Sequence, residues 1–317
     1  MLDVIINQKT REAEGVFRFE LVRVDGSAMP AFTPGSHIDV FLPNGLIRQY
    51  SLCNHPEERH RYVIGVLEEP NSRGGSRTLH ADIEVGQQLQ ISEPRNLFAL
   101  DEHANKSLLF AGGIGITPIL SMAQHLAQRG ANFELHYCAR EPERAGFMDE
   151  LRQSPFTSHV HFHFDNGPAQ QKLNAAQTLE APIPGTHLYV CGPGGFMDYI
   201  LNTAATQGWA PEQVHREYFA APLIDTTADT AFEIELARSG KVLLIPADRS
   251  VFEVLDEAGI DIPVSCEQDV CGTCLTRVHS GEPDHRDQFL SAAEQARNDQ
   301  FTPCCSRAKS SRLVLDL

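Results

Sequence analysis

Three cysteines fall within nine residues, in Cys266-Glu-Gln-Asp-Val-Cys271-Gly-Thr-Cys274, and a fourth, Cys304, follows after 29 intervening positions. Thiolates at C-x4-C-x2-C…C spacing are the donor set of a plant-type [2Fe–2S] cluster. The short spacing wraps one loop around the cluster, and Gly272 lets backbone come close with no Cβ in the way. Ser265 and Thr273 are placed to hydrogen-bond cluster or backbone, one of the ways a protein tunes a reduction potential. Two other metal or thiol chemistries compete. A structural zinc site ordinarily brings two C-x2-C pairs or a Cys/His set; here there is one C-x2-C, with the extra cysteine five residues before it. A thioredoxin-like C-x-x-C leaves Cys266 and Cys304 without a task. Cys305 adjoins Cys304, and neighbours in an extended segment point opposite ways, so one of the two faces the cluster; we assign Cys304.

The elements around this loop are two strands (Phe232–Leu236 and Val242–Pro246, turning near Ser239-Gly240) and a short amphipathic helix, Val251–Ala258. A helix around Ser291–Ala296 and a last strand, Leu313–Leu317, complete a β-rich domain over 232–317. Residues 220–231 (AAPLIDTTADTA) lack periodicity and read as a linker, 223–231 in the narrowest bounds.

Residues 1–102 read as β. Runs such as Val16–Val24, His37–Phe41 and Tyr62–Leu67 are divided by turn signals at Asp25-Gly26, Pro34-Gly35 and Pro43-Asn44-Gly45, a spacing that predicts a small antiparallel barrel. Two of its segments carry chemistry. In Arg48-Gln49-Tyr50-Ser51, arginine can fork onto a phosphate and tyrosine can stack on another ring. In Arg73-Gly74-Gly75-Ser76-Arg77, glycines expose successive backbone N–H groups as an anion cradle beside a hydroxyl and two guanidiniums. Together they suggest a phosphorylated aromatic ligand such as flavin mononucleotide.

Residues 103–222 read as α/β. Ser107–Ala111 is a buried strand, followed by Gly112-Gly113-Ile114-Gly115-Ile116-Thr117-Pro118 and a helical run to Arg129; a helix start of this kind attracts pyrophosphate. Strands at Phe133–Ala139, His159–Phe164 and His187–Val190 follow, the last running into Cys191-Gly192-Pro193-Gly194-Gly195. Strands alternating with helices give a parallel sheet with ligands at the strands' carboxyl ends, where these glycine turns fall. Arg140, after the second strand, could meet a 2′-phosphate, although one arginine there is common. His159, His161 and His163 are read as one solvent-facing strand face and given no site.

A net charge of −16 over 317 residues argues against nucleic acid or an anionic membrane as partner. The most membrane-like stretch, 107–123, is interrupted by three glycines and a proline. The first residues lack the basic and apolar regions of a signal peptide, and eight cysteines then fit a reducing cytoplasm. Cys53, Cys138, Cys191 and Cys305 default to small buried hydrophobes.

A dinucleotide site, a flavin site and a one-electron cluster on one chain make a short wire. Nicotinamide gives electrons in pairs as hydride, the cluster takes them singly, and a flavin can do both, so it belongs between them. The Arg-x-Tyr-Ser, Arg-Gly-Gly-Ser, Gly-Gly-Ile-Gly-Ile-Thr-Pro, Cys-Gly-Pro-Gly-Gly-Phe-Met and C-x4-C-x2-C…C blocks, in this order, resemble the phthalate dioxygenase reductase family over essentially the whole chain. The resemblance implies an FMN-binding β-barrel, a ferredoxin reductase-like α/β domain for NAD and a C-terminal β-grasp plant-type ferredoxin domain. By motif it assigns Arg48, Gln49, Tyr50 and Ser51, the backbone of Gly65 and Val66, and Arg73, Gly74, Gly75 and Ser76 to FMN. It places Thr117 at the flavin–nicotinamide junction and Phe219 as a shield on the flavin ring, a core aromatic being the equal alternative. Gly112, Gly113, Ile114, Gly115, Arg140, Cys191, Gly192 and Pro193 would line the dinucleotide. The implied function is an NADH-dependent reductase (NADPH standing as the lesser choice) that feeds a separate Rieske-type oxygenase, of the vanillate O-demethylase kind in its nearest resemblance. Three readings stand beside it: a stand-alone flavin reductase, a zinc-bound C-terminal module, and a flavin monooxygenase, for which no stretch is left over as a substrate domain.

Overall fold

The structure is a computed structural model that describes residues 1–69, 74–219, 226–265 and 270–317. The chain forms two compact units, Met1–Phe219 and Ala220–Leu317.

The first unit begins with a seven-stranded antiparallel sheet built from β1 (Leu2–Ala13), β2 (Val16–Arg23), β3 (Ser36–Phe41), β4 (Ile47–Ser51), β5 (Tyr62–Leu67), β6 (Gln88–Ile91) and β7 (Arg95–Asn96), with helix α1 (Gly75–Ala81) between β5 and β6. Their order is β4-β3-β6-β1-β2-β5, with β7 on β3, and a bridge from Leu52 to Ile64 draws the two ends together. The barrel core is an alternation made solid: Val4, Ile6, Phe19, Leu21, Ile38, Val40, Ile64 and Val66 are each at most 1 % exposed. The strand β1 is the element the sequence did not announce, because its second half, QKTREA, is polar on both faces.

A parallel five-stranded sheet follows, in the order β10-β9-β8-β11-β12, from β8 (Lys106–Gly112), β9 (Phe133–Ala139), β10 (Val160–Phe164), β11 (Thr186–Cys191) and β12 (Val214–Glu217). Helix α2 (Ile116–Gln128) connects β8 to β9, and α3 (Met148–Gln153), α4 (Ala175–Thr178) and α5 (Gly194–Thr206) lie between the later strands. The central β8 is a continuous apolar run because both its faces are covered. Barrel and sheet share a core, Cys53, Val63 and Phe98 packing with Ile119, Leu120 and Tyr189. Arg18 of β2 pairs with Glu150 of α3 at 2.8 Å, and Ser121 Oγ donates to Asn54 O at 3.0 Å.

The second unit holds β13 (Phe232–Leu236), β14 (Val242–Ile245), α6 (Val251–Glu257), β15 (Thr276–Ser280), β16 (Pro283–Asp284), α7 (Ala292–Gln295), β17 (Gln300–Phe301), β18 (Arg307–Ala308) and β19 (Arg312–Leu315). A mixed sheet, β14-β13-β19-β15-β17, packs α6 against Ile234, Ile245, Phe301 and Leu313. Ser250 caps α6 through a capping box with Glu253. Asp229 falls in the described part of the segment expected to be a linker. Asp229 is buried between two arginines of this unit, accepting from Arg286 at 2.6 and 2.9 Å and lying 3.5 Å from Arg307. A stretch without periodicity is thereby fixed by charge. Residues 223–225 lie outside the described ones.

Among the described residues no helix is long and apolar enough to cross a membrane.

Candidate functional site

On β4, Arg48 and Tyr50 face one way and Gln49 and Ser51 the other. The Arg48 side chain lies along Gly75, where a Cβ would stand 2.5 Å from Arg48 Cγ. Gly74, at φ +103°, turns the chain into α1 as only glycine does readily. The N–H groups of Gly75, Ser76 and Arg77 open that helix and have no acceptor within it. Ser76 Oγ accepts from the Glu69 N–H at 3.1 Å. So Arg48 and the glycine turn are together, whereas Arg73 lies outside the described residues. Gln49 has other work: its Nε2 donates to Asp39 Oδ1 at 3.0 Å, and Arg95 holds both Asp39 oxygens at 2.7 Å.

Barrel and sheet meet at Gly65. A Cβ there would stand 2.8 Å from Thr117 Cγ2 and 2.8 Å from the Phe147 ring. Thr117 Oγ1 donates to Ile114 O at 3.1 Å, so the residue is fixed at the start of α2. Val66 points into the barrel core, and its carbonyl accepts from His80 Nε2 at 2.9 Å.

The strands β8 and β11 are neighbours, and the strand order reverses between them, β9 and β10 lying to one side and β12 to the other. Such a switch point opens a crevice at the carboxyl ends. Both glycine turns sit there and touch. A Cβ on Gly115 would come within 2.2 Å of Cys191 O and 2.7 Å of Gly192 N; one on Gly112 would come within 2.7 Å of the Phe196 ring and 3.0 Å of Pro193 Cδ. Gly113 adopts φ +53° and, like Gly194, has nothing within 4 Å of its Cβ position, so this side of the crevice is open. Ile114 is half-buried beside it, and Arg140 is exposed just beyond the end of β9. Gly115→Ala should therefore wedge the two turns apart, costing about 1–3 kcal/mol as overpacking does. NADH binding should weaken on the order of tenfold or more, since small misplacements of a site are costly. Gly194→Ala, into open space, should bind as the parent does; equal affinities for the two variants would contradict this geometry.

The residue the sequence reasoning did not single out is Glu217, the last of β12. It is the register partner of Cys191, and Ser51 Oγ donates to its Oε2 at 3.2 Å across 166 positions. A half-buried carboxyl with one hydroxyl for company is pushed up by desolvation to about 8, Ser51 opposing the shift. Cys191 is fully buried, its thiol held well above the ordinary range by burial and by Glu217, and it stays neutral. The only clue in the sequence was position: Glu217 lies two residues before Phe219, which packs half-buried on the shared core. Because the folded carboxyl binds its proton more tightly than the unfolded chain does, stability falls as pH rises from about 4.5 to 8. Glu217→Gln should flatten that fall. Trp209, the single tryptophan, is buried in this unit and reports its melting by fluorescence. A variant with the same pH slope as the parent would rule the carboxyl out as its cause.

In the second unit, Cys271, Cys274 and Cys304 are described and Cys266 is not. The Cys274 and Cys304 sulfurs lie 3.3 Å apart. The hydrogen bond between them holds Cys274 below the ordinary thiol range and Cys304 above it. Cys271 Sγ meets the Thr273 hydroxyl at 3.1 Å and the Thr273 N–H at 3.4 Å. Gly272, at φ +65°, lies against the Phe289 ring, where a Cβ would stand at 2.5 Å. Cys305 Sγ meets Thr302 Oγ1 at 3.0 Å and also neighbours the Cys304 side chain. Residues 303–305 form a turn, with the Cys305 and Ser306 N–H groups donating to Thr302 O, and not the extended segment expected.

The histidine run is also corrected. His159 belongs to a 3-10 turn over Thr157–His159, where it stacks on Phe133 and its Nδ1 meets Phe133 O at 2.9 Å. His161 and His163 alone share a strand face, and both stack on His136 of β9. Burial, then the neighbouring His161 and His163, push His136 down to about 4.

A barrel joined to a switch-point crevice, with a thiol loop on a second unit, defines a modular electron-transfer oxidoreductase. Residues 234–309 match the 2Fe-2S iron-sulfur cluster binding domain, and residues 91–214 match the N-terminal domain of dimethylamine monooxygenase subunit DmmA-like proteins. The chain is 60 % identical to the vanillate O-demethylase oxidoreductase of Pseudomonas sp. (strain HR199 / DSM 7063) over 100 % of both chains. To the enzyme of the same name from Pseudomonas putida it is 56 % identical, again over 100 % of both. The solved structure of phthalate dioxygenase reductase, described as a modular structure for electron transfer from pyridine nucleotides to [2Fe–2S], superposes with a TM-score of 0.78 at 42 % identity, covering 100 % of this chain and 98 % of that one. The chain belongs to this family of phthalate dioxygenase reductases and vanillate O-demethylase oxidoreductases, the reductase components of oxygenase systems.

Proposed function

We propose that this protein is the NADH-dependent reductase of a two-component oxygenase, passing electrons through FMN and one [2Fe–2S] cluster to a separate Rieske-type partner. Its three modules would be 1–102 for FMN, 103–222 for NAD and 232–317 for the cluster. The observation that carries the reading is the bond from Ser51 of the barrel to Glu217 of the sheet, beside Cys191 and the open glycine turns. It joins a candidate flavin edge to a candidate nicotinamide crevice.

Bound FMN supplies a centre that accepts hydride and releases electrons singly, and the cluster carries them one at a time. The chain's own residues bind and orient. Arg48 and the Gly74-Gly75-Ser76 turn would hold the phosphate with a guanidinium and backbone N–H groups. Tyr50, its phenol held neutral by burial, and Phe219 would supply ring faces, and Gly65, with no Cβ, lets Thr117 and the Phe147 ring pack directly on its backbone. Gly112 to Gly115 and Cys191 to Pro193 would let the dinucleotide lie on bare backbone. Glu217 keeps a proton at Oε near neutral pH and with Ser51 fixes the polar edge of the junction. Cys266, Cys271, Cys274 and Cys304 would hold the cluster; sulfur-only donors, with the Cys274 and Cys304 sulfurs 3.3 Å apart, fit iron in such a cluster.

The partner is proposed from the relatives' names, with an aromatic methyl ether such as vanillate as the oxygenated substrate. Coupled turnover tests it: with the oxygenase component of a vanillate O-demethylase, this protein and NADH should release the demethylated product, and NADPH should serve less well. Cytochrome c reduction without any transfer to such an oxygenase would favour the stand-alone reductase instead.

A further inference from the structure

The face of the parallel sheet formed by β9 and β10 carries a second cluster of metal-type donors, far in sequence from the thiols. Glu134 and His136 lie two apart on β9, on one face, and His161 of β10 is the direct register partner of His136. One ligand atom from each of the three lies within 4.8 Å of the others. We propose that Glu134, His136 and His161 form a two-histidine, one-carboxylate site for a divalent transition-metal ion, with Zn2+ as the best-fitting occupant.

The hydrogen bonds fix which atom of His136 faces the site. His163 Nδ1 meets Gln171 O at 3.0 Å, and a carbonyl only accepts, so His163 carries its proton there. Its Nε2 is then a lone pair, 3.1 Å from His136 Nδ1, which must in turn be the protonated nitrogen of His136. That leaves His136 Nε2 as a bare lone pair. The residue is only 6 % exposed, and among the described residues this nitrogen has no hydrogen-bond partner. What it faces is a carboxylate oxygen, Glu134 Oε2, at 3.5 Å. A buried lone pair pointed at an anion is unfavourable unless a cation stands between them.

The rest of the environment agrees. Lys106 Nζ holds the other carboxylate oxygen, Oε1, at 2.7 Å, which orients Glu134 and leaves Oε2 for the ion. The relay from His136 through His163 to a backbone carbonyl is the kind of outer support that fixes a ligating imidazole. Donors bound to one zinc at about 2.0–2.1 Å sit roughly 3.3 Å apart in a tetrahedron, close to the His136–Glu134 spacing. His161 is exposed and would tilt out of its 4.9 Å stack on His136 to close the third position. Two imidazoles and a carboxylate suit zinc rather than calcium or magnesium, which prefer all-oxygen sets. The ion would tie the edge strand β10 to β9.

The test uses the full chain with its cluster and flavin in place. After chelator treatment that leaves the visible spectrum unchanged, the protein is equilibrated with micromolar Zn2+ and examined by metal analysis and zinc X-ray absorption. Wild type should bind one equivalent more than His161→Ala and than Glu134→Gln, with at least about tenfold weaker binding in the variants, and its zinc should show nitrogen and oxygen neighbours only. His161 is exposed, so its variant should fold. Equal zinc in wild type and both variants would overturn the site. So would a zinc environment dominated by sulfur, which would place the ion on the thiols.

Discussion

Cys304→Ser should leave the protein able to bleach its flavin with NADH but unable to pass electrons to cytochrome c, while Cys305→Ser should behave as the parent. Cys304 lies 3.3 Å from Cys274, whereas Cys305 bonds to Thr302 at 3.0 Å. A serine at 304 replaces a soft thiolate by a hydroxyl that stays protonated and binds iron poorly. Losing even a supporting group costs a metal site roughly 10- to 100-fold, so losing a ligand should lower cytochrome c reduction by about a hundredfold or more. The first unit, Met1–Phe219, has its own cores and should therefore fold without the cluster. The checks are the NADH-dependent visible spectrum and the cytochrome c rate, both variants side by side. If Cys305→Ser lost the cluster and Cys304→Ser kept it, the ligand assignment would be reversed.

Asp229→Ala should be the most destabilising single change outside the thiols. The carboxylate is 5 % exposed and compensates Arg286 and Arg307, whose side chains are 15 % and 7 % exposed. Removing one partner of a buried ion pair costs about 3–5 kcal/mol, because the other charge stays behind uncompensated. Arg286 keeps Asp284 at 2.8 Å, and Arg307 keeps the carbonyls of Arg249, Thr230 and Pro246, so the lower end is expected. For a unit of this size that means a melting temperature lower by about 10 °C or more. Heating the full chain and following the cluster's visible circular dichroism would read it. Asp229→Asn, which keeps an acceptor of the same shape, should fall between. A shift of a degree or two for Asp229→Ala would show the residue to be ordinary linker.

What was legible in the sequence was local. Cysteine spacing, glycine turns and strand alternation are set by residues a few positions apart, and the barrel, the parallel sheet and the thiol-bearing module follow from them. What was hidden depends on long-range pairing. Ser51 and Glu217 are 166 positions apart, and nothing in either neighbourhood announces their bond. Asp229 is 57 positions from Arg286, so an ion-paired segment looked like linker. Glu134 and His136 meet His161 only through the register of β9 with β10, so a histidine run read as solvent-facing gained a buried partner. At Cys304 the expectation rested on extended geometry, whereas 303–305 is a turn that keeps the Cys304 and Cys305 side chains together.

The most direct test of the central claim is an anaerobic NADH titration of the purified full chain, followed by visible absorption and by electron paramagnetic resonance. Flavin bands and a broad red-brown shoulder that both bleach, with a reduced [2Fe–2S] signal growing as they do, are the predicted result. Flavin bands that bleach alone, with no iron or acid-labile sulfide in the protein, would contradict it and leave a simple flavin reductase.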